Sequence, residues 1–389
     1  MGNGFDLLTI LHDLFFDYTL RNIALGAAIL GAVSGILGSF ALLRRQSLLG
    51  DALSHAALPG VCLAFIISGQ SKSPLVLLLG AAIAGWLGAA LLTVIVRNTR
   101  IKEDAAMGII LSVFFGIGYL ILSILQHSAG SAQAGLDSYL FGRAASLVAN
   151  DVQTMALLGV IAVGITLLFF KEFKVLAFDP DFLATQGFPV RGLDILLTSL
   201  IVIAVMIGLQ TVGVVLMSAM LIAPGAAARQ WTNRMGVMLG AAVIVGALSG
   251  VTGAVISLIG EIPTGPAIIL TLTAFTLISF LFGSERGLVW AWLRMRRAQS
   301  SIRVESVLGD LLHIAERHKD RGYAAPTGLI GNGKMTMTLR KLASRGLVNE
   351  HPNGTWSLTP EGYSAAVQAA QSHHGATMDS NIGVPALGK

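Results

Sequence analysis

The sequence predicts an all-α polytopic membrane protein of about nine transmembrane helices, followed by a small soluble α+β domain. Three observations carry this reading. Of 389 residues, 54% are hydrophobic and 12% charged, and the mean hydropathy is +0.74, which excludes an ordinary soluble globular protein. Apolar runs of about 17–25 residues, long enough to cross a bilayer, recur as far as residue 284 and then stop. Charge density rises after about residue 298, where a soluble pattern begins. Forty-five glycines suit closely packed transmembrane helices. The single cysteine, Cys62, excludes an intrachain disulfide and any multi-thiolate metal site.

Taken in order, residues 1–18 have an apolar face (Phe5, Leu8, Leu11, Phe15) interrupted by acids, too short and too charged to cross, and are expected at the membrane interface. No basic residue precedes Arg21, and Asp6, Asp13 and Asp17 argue against a cleaved signal peptide. The transmembrane region, 19–284, holds spans near 19–42, 52–70, 74–96, 105–126, 152–170, 193–211, 212–228, 236–259 and 265–283. Fusing the sixth and seventh across Gln210-Thr211-Val212-Gly213 would leave eight. Arg44 and Arg45, then Arg97, Arg100 and Lys102, then Lys171, Lys174 and Arg191, then Arg229 and Arg234, and finally Arg286, Arg294, Arg296 and Arg297 follow every second span. The other loops carry little beyond Lys72 and Arg143. The positive-inside rule then places the N-terminus outside and the C-terminal region in the cytoplasm after nine crossings, an alternation that eight spans would break. The loop 128–150 holds Tyr139-Leu140-Phe141-Gly142, which reads as a short helix or re-entrant piece on the outer face.

A basic linker, 285–302, leads to a domain over 303–374. Helical spacing covers 303–321, and a second helix is predicted over 335–345, stopped by Gly346. Residues 347–351 and 355–358 read as strands joined by an Asn-Gly turn. Thr359-Pro360 then opens a last helix. Helices followed by a hairpin describe a winged helix. The tail, 375–389, is rich in Gly, Ser and Asn and is expected to be disordered.

The chemistry concentrates in Gly50-Asp51-Ala52-Leu53-Ser54-His55-Ala56-Ala57-Leu58-Pro59-Gly60. Asp51 and His55 stand four residues apart, so a carboxylate and an imidazole share one helix face. That ligand mix suits manganese, iron or zinc. Ionisable groups at membrane depth are costly and mark ion pathways. The alternative is an N-cap aspartate with a histidine satisfying a carbonyl. One pair supplies too few ligands to close a site, whereas two copies face to face would bring two carboxylates and two imidazoles. A second motif is a compact helix in a loop on the basic side, capped by Asp179, with Pro180 at its first position and Gly187 at its stop. Glu261, between Gly260 and Pro263, reads as part of a turn. No phosphate-binding Gly-x-x-x-x-Gly-Lys-Ser/Thr loop is present, so nothing in the sequence points to ATP chemistry in this chain itself.

Over residues 10–284 the chain resembles the membrane permease subunit of bacterial ABC importers for manganese, zinc or iron. The motif around Asp51 carries the resemblance together with Asp104-Ala105-Ala106-Met107-Gly108-Ile109, Tyr139-Leu140-Phe141-Gly142, Phe178-Asp179-Pro180-Asp181-Phe182-Leu183-Ala184-Thr185-Gln186-Gly187 and Leu221-Ile222-Ala223-Pro224-Gly225-Ala226-Ala227-Ala228-Arg229. The resemblance implies that Asp51 and His55 contact the metal. It implies that 178–189 is the coupling helix docking in the ATPase, with Asp179, Pro180, Ala184 and Gly187 the positions assigned. The wording Ser54-His55-Ala56-Ala57-Leu58-Pro59-Gly60 resembles manganese and iron members more than zinc members. Leu339 to Val348 and Leu358 to Gly362 are similar to the winged helix of diphtheria-toxin-type metal-dependent repressors, where Lys334, Arg340, Lys341 and Arg345 would be placed to meet phosphates. DNA is nevertheless not an expected partner, since membrane tethering limits access and the helix-turn-helix is abbreviated around 326–334. His313, His318 and His351 read as solvated histidines.

The expected function is therefore an ATP-driven importer's permease in the bacterial inner membrane. Its partners are an ABC ATPase, a second permease subunit, an extracytoplasmic metal-binding protein and the bilayer. It holds no permanent cofactor; manganese, iron or zinc is its substrate. Two competing classes are a membrane-tethered metal-responsive DNA-binding regulator and an ion-gradient-driven transporter. The second predicts more intramembrane acids than this sequence carries.

Overall fold

The computed structural model describes residues 16–69, 73–128, 142, 147–326, 328 and 335–368. The expected Tyr139–Phe141 segment, Lys334, the tail 375–389 and most of the N-terminal interfacial segment lie outside these residues. The chain divides into two compact units, residues 1–290 and 291–389.

The first unit is built from helices α1 (Tyr18–Leu43), α2 (Leu49–Ile67), α3 (Pro74–Asn98), α4 (Glu103–Ser128), α5 (Ala149–Leu168), α6 (Phe170–Phe178), α7 (Pro180–Thr185), α8 (Val190–Thr211), α9 (Val214–Arg229), α10 (Met235–Gly260) and α11 (Thr264–Phe282). Among the described residues, eight of these are long and apolar enough to cross a membrane. The ninth expected span is the shorter α9, 16 residues between a glycine break and Arg229. The break falls within the Gln210–Gly213 stretch: α8 ends at Thr211, and Gly213 takes φ +84°, which favours glycine. Glu261 adopts the left-handed C-cap of α10, the turn role read from sequence.

Glycine lets the backbones of α1, α9 and α10 touch. A Cβ at Gly31 would sit 2.2 Å from the Gly246 carbonyl oxygen, and one at Gly38 only 1.7 Å from that of Leu221. The contacts follow the small-residue logic of membrane helix packing, where close approach maximises dispersion without a hydrophobic drive between helices. The core they close includes Leu30, Leu37, Phe40, Leu53, Met107, Leu197 and Met217.

The second unit contains most of α12 (Leu288–Arg317), then β1 (Ala325–Pro326), α13 (Met335–Ala343), β2 (Val348–Glu350), β3 (Thr355–Leu358) and a helical stretch over 360–368. The strands form an antiparallel sheet in the order β1-β3-β2. Gly346 and Gly354 take positive φ after α13 and in the hairpin turn, as their positions predict. Val307, Leu311, Leu339, Leu342, Val348 and Trp356 form its core. Short β1 has no counterpart in the sequence reading, because two residues leave no periodicity to detect.

Candidate metal and coupling sites

Chain reversal after α1 sets the position of the first site. Arg45 takes φ +62°, and the amide of Gln46 returns to the carbonyl of Ala41 at 2.9 Å, which closes a tight turn between α1 and α2. Leu49 and Gly50, the first residues of α2, are buried. Gly50 packs on Leu221, at the middle of α9, and Leu53 lies beside Gly85, at the middle of α3. The His55 ring meets Phe115, the midpoint of α4, edge-on at 5.0 Å between centroids. Asp51 and His55 thus lie near mid-height among the apolar helices.

Asp51 is the third residue of α2. The N-cap is Leu48, and no side chain caps the helix, so the capping alternative for Asp51 is not the arrangement observed. The first turn of a helix is a favourable place for an anion, because the unpaired backbone amides and the macrodipole lie there. His55 Nε2 is 3.4 Å from Asp51 Oδ1, with side-chain exposures of 15% and 29%. His55 Nδ1 is buried and has no hydrogen-bond partner, so the ring is not spent on a carbonyl. The pair offers oxygen and nitrogen donors that fit manganese, iron or zinc. Among the described residues no group of three or more His, Cys, Asp or Glu converges on one point. Two donors fall short of the four to six these ions take.

The second site is the α6–α7 segment. Asp179 accepts a hydrogen bond from the Phe182 amide at 2.9 Å, capping α7, with Pro180 as its first residue. Gly187 takes φ +82° and ends the unit. Leu183 is buried and anchors the helix, whereas Asp179, Pro180, Ala184 and Gly187 are exposed. Phe178, Phe182 and Phe188 are also exposed, at 62%, 52% and 46%. Sequence reading did not single out these aromatics. Three phenylalanines within eleven residues of a basic loop were the available signal.

Also unanticipated is a polar cluster between α1, α3, α4 and α8. Arg44 Nη2 donates to Asp194 Oδ1 at 2.5 Å, Arg97 stands 3.9 Å from the same carboxylate, and Gln46 Nε2 donates to Glu103 Oε1 at 3.3 Å. In the second unit Arg340, Lys341 and Arg345 are exposed. His318 stacks on Tyr323 at 3.9 Å, and His351 meets the Ser357 hydroxyl at 2.9 Å.

A family model described as the ABC 3 transport family matches residues 16–283. The zinc transport system membrane protein TroC of Treponema pallidum is 47% identical over 73% of this chain and 95% of its own length. The manganese transport system membrane protein MntC of Bacillus subtilis is 43% identical over 87% of this chain and 78% of its own. That second match is longer than the first unit and takes in part of the second. The solved structure of PsaBC from Streptococcus pneumoniae in complex with Fab superposes with a TM-score of 0.65, at 31% identity, over 75% of this chain and 100% of that one.

Proposed function

Because this chain belongs to the ABC 3 transport family, we propose that it forms the metal path of an ABC importer, with Asp51 and His55 as the ligands its cargo meets. The chain is a permease subunit and not an enzyme; a separate ATPase hydrolyses ATP. The single observation that carries the ligand assignment is the carboxylate–imidazole pair at mid-height, with His55 Nδ1 buried and unpartnered. Two ligands suffice only if a second permease copy contributes its own pair. A shared, incomplete cage also suits transport, since release requires that the site bind the ion differently in outward and inward states.

The cargo is a divalent transition-metal ion. The Ser54–Gly60 wording favours manganese or iron, while relatives named for zinc and for manganese stand at similar identity. An extracytoplasmic metal-binding protein delivers it. The exposed segment 178–189 docks on the ATPase, a role supported by its capped, protruding helix and its aromatic surface. We read the membrane as the bacterial inner membrane and the second unit as a cytoplasmic winged helix with a docking or regulatory role. The succession of α13, hairpin β2–β3 and the flanking β1 supports that reading. Nothing in the family comparisons favours a DNA-binding regulator.

The test is metal accumulation in cells lacking their own importer, with the chain coexpressed with its ATPase and binding protein. Manganese, iron or zinc uptake that collapses in Asp51→Ala and His55→Ala at matched membrane levels is expected. Unchanged uptake in both would sink the assignment.

A further inference from the structure

The helix that follows the segment expected to dock on the ATPase and the turn that precedes the helix carrying Asp51 meet at one charged contact. The chain leaves α7 through Gly187 and Pro189 and enters α8 at Val190, so Asp194 lies within the first turns of α8. Its carboxylate accepts from Arg44, the C-cap residue of α1. Arg44 opens the tight turn that ends at Leu49, the first residue of α2, two residues before Asp51. Both partners are largely buried, with side-chain exposures of 14% and 21%. At that depth solvent screening is weak and an ion pair holds its geometry firmly.

The surroundings leave this contact room to rearrange. Arg44, Gln46, Leu49, Arg97, Glu103 and Asp194 line one small cavity. Within it Arg44 Nη1 and Gln46 Oε1 are both buried and lack a hydrogen-bond partner. A buried donor and a buried acceptor left open together are costly, and either rearrangement or entering water relieves them.

We propose that Asp194 and Arg44 are positioning residues that transmit movement of the α7–α8 segment to the metal pair, coupling ATP hydrolysis to the ligand geometry at Asp51. The proposal rests on the reading of 178–189 as the ATPase-docking segment.

The experiment reconstitutes the chain with its ATPase and binding protein in liposomes and counts manganese ions moved per ATP hydrolysed. Asp194→Asn and Arg44→Gln should each lower that ratio by about fivefold or more, the lower range of allosteric couplings. Arg44→Lys, which keeps the charge, should retain most of it. A merely structural pair would depress assembly, hydrolysis and transport together and leave the ratio of surviving complexes unchanged, which would overturn the proposal. If either uncharged variant fails to assemble, hydrogen exchange on the wild-type complex decides. Protection of 44–53 and 190–197 should change together when ATP binds, and a change in 190–197 alone refutes the link. A wild-type complex that hydrolyses ATP without moving metal would instead count against the docking reading itself.

Discussion

Replacing Gly38 by alanine should loosen the bundle next to the Asp51–His55 pair, and the same change at Gly50 should not. A Cβ at Gly38 would lie 1.7 Å from the Leu221 carbonyl oxygen, while ordinary van der Waals contact begins near 3.4 Å. That obstacle is helix backbone, so α1 and α9 must separate by about the difference, well over an ångström, along a seam held by dispersion. Overpacking of this kind costs about 3 kcal/mol, which corresponds to a melting decrease on the order of 5–10 °C for a unit of this size. At Gly50 the added Cβ would meet Leu221 Cδ2 at 2.7 Å, the far end of a side chain that can swing aside. Its cost should stay within about 1 kcal/mol. Fluorescence-detected thermal melting of detergent-solubilised protein measures both. An unshifted Gly38→Ala, or a Gly50→Ala as damaged as Gly38→Ala, would refute the reasoning that a backbone obstacle outweighs a side-chain one.

Asp179→Ala removes the acceptor for the Phe182 amide and with it about 1 kcal/mol of α7 preorganisation; permease-stimulated ATP hydrolysis should fall about fivefold. Gly187→Ala forces a Cβ into φ +82° in open space and should cost about 1 kcal/mol through strain alone, with the same kinetic outcome. Phe182→Ala, by contrast, deletes an exposed ring, so ATPase pull-down should weaken while the melting temperature holds. Trp356→Ala empties the centre of the second unit at a cost of about 3–5 kcal/mol, so limited proteolysis should clip residues beyond 300 and spare the transmembrane helices.

What could be read from the sequence was what local chemistry decides. Asp179, Pro180 and Gly187 announce α7 because a cap, a fixed φ and a left-handed stop act within one turn. The break at Gly213 is legible for the same reason, and Asp51 and His55 share a face by helix periodicity alone. The Arg44–Asp194 contact was invisible, because 150 residues separate the partners and Arg44 read only as a topological charge. The depth of Asp51 also had to come from the fold. Only the burial of Leu49 and Gly50 and the packing of His55 on Phe115 show that α2 starts within the bundle. α9 proved shorter than a full span because the glycine break and Arg229 trim it at both ends, a limit that average hydropathy does not register.

In the proposed path, one metal ion is shared between the Asp51–His55 pairs of two permease copies. Equilibrium dialysis of manganese and zinc against the purified permease–ATPase complex tests it directly. One ion per two permease chains is expected, lost in His55→Ala and in Asp51→Ala although the complex remains assembled. One ion per chain, or undiminished binding in either variant, would contradict it.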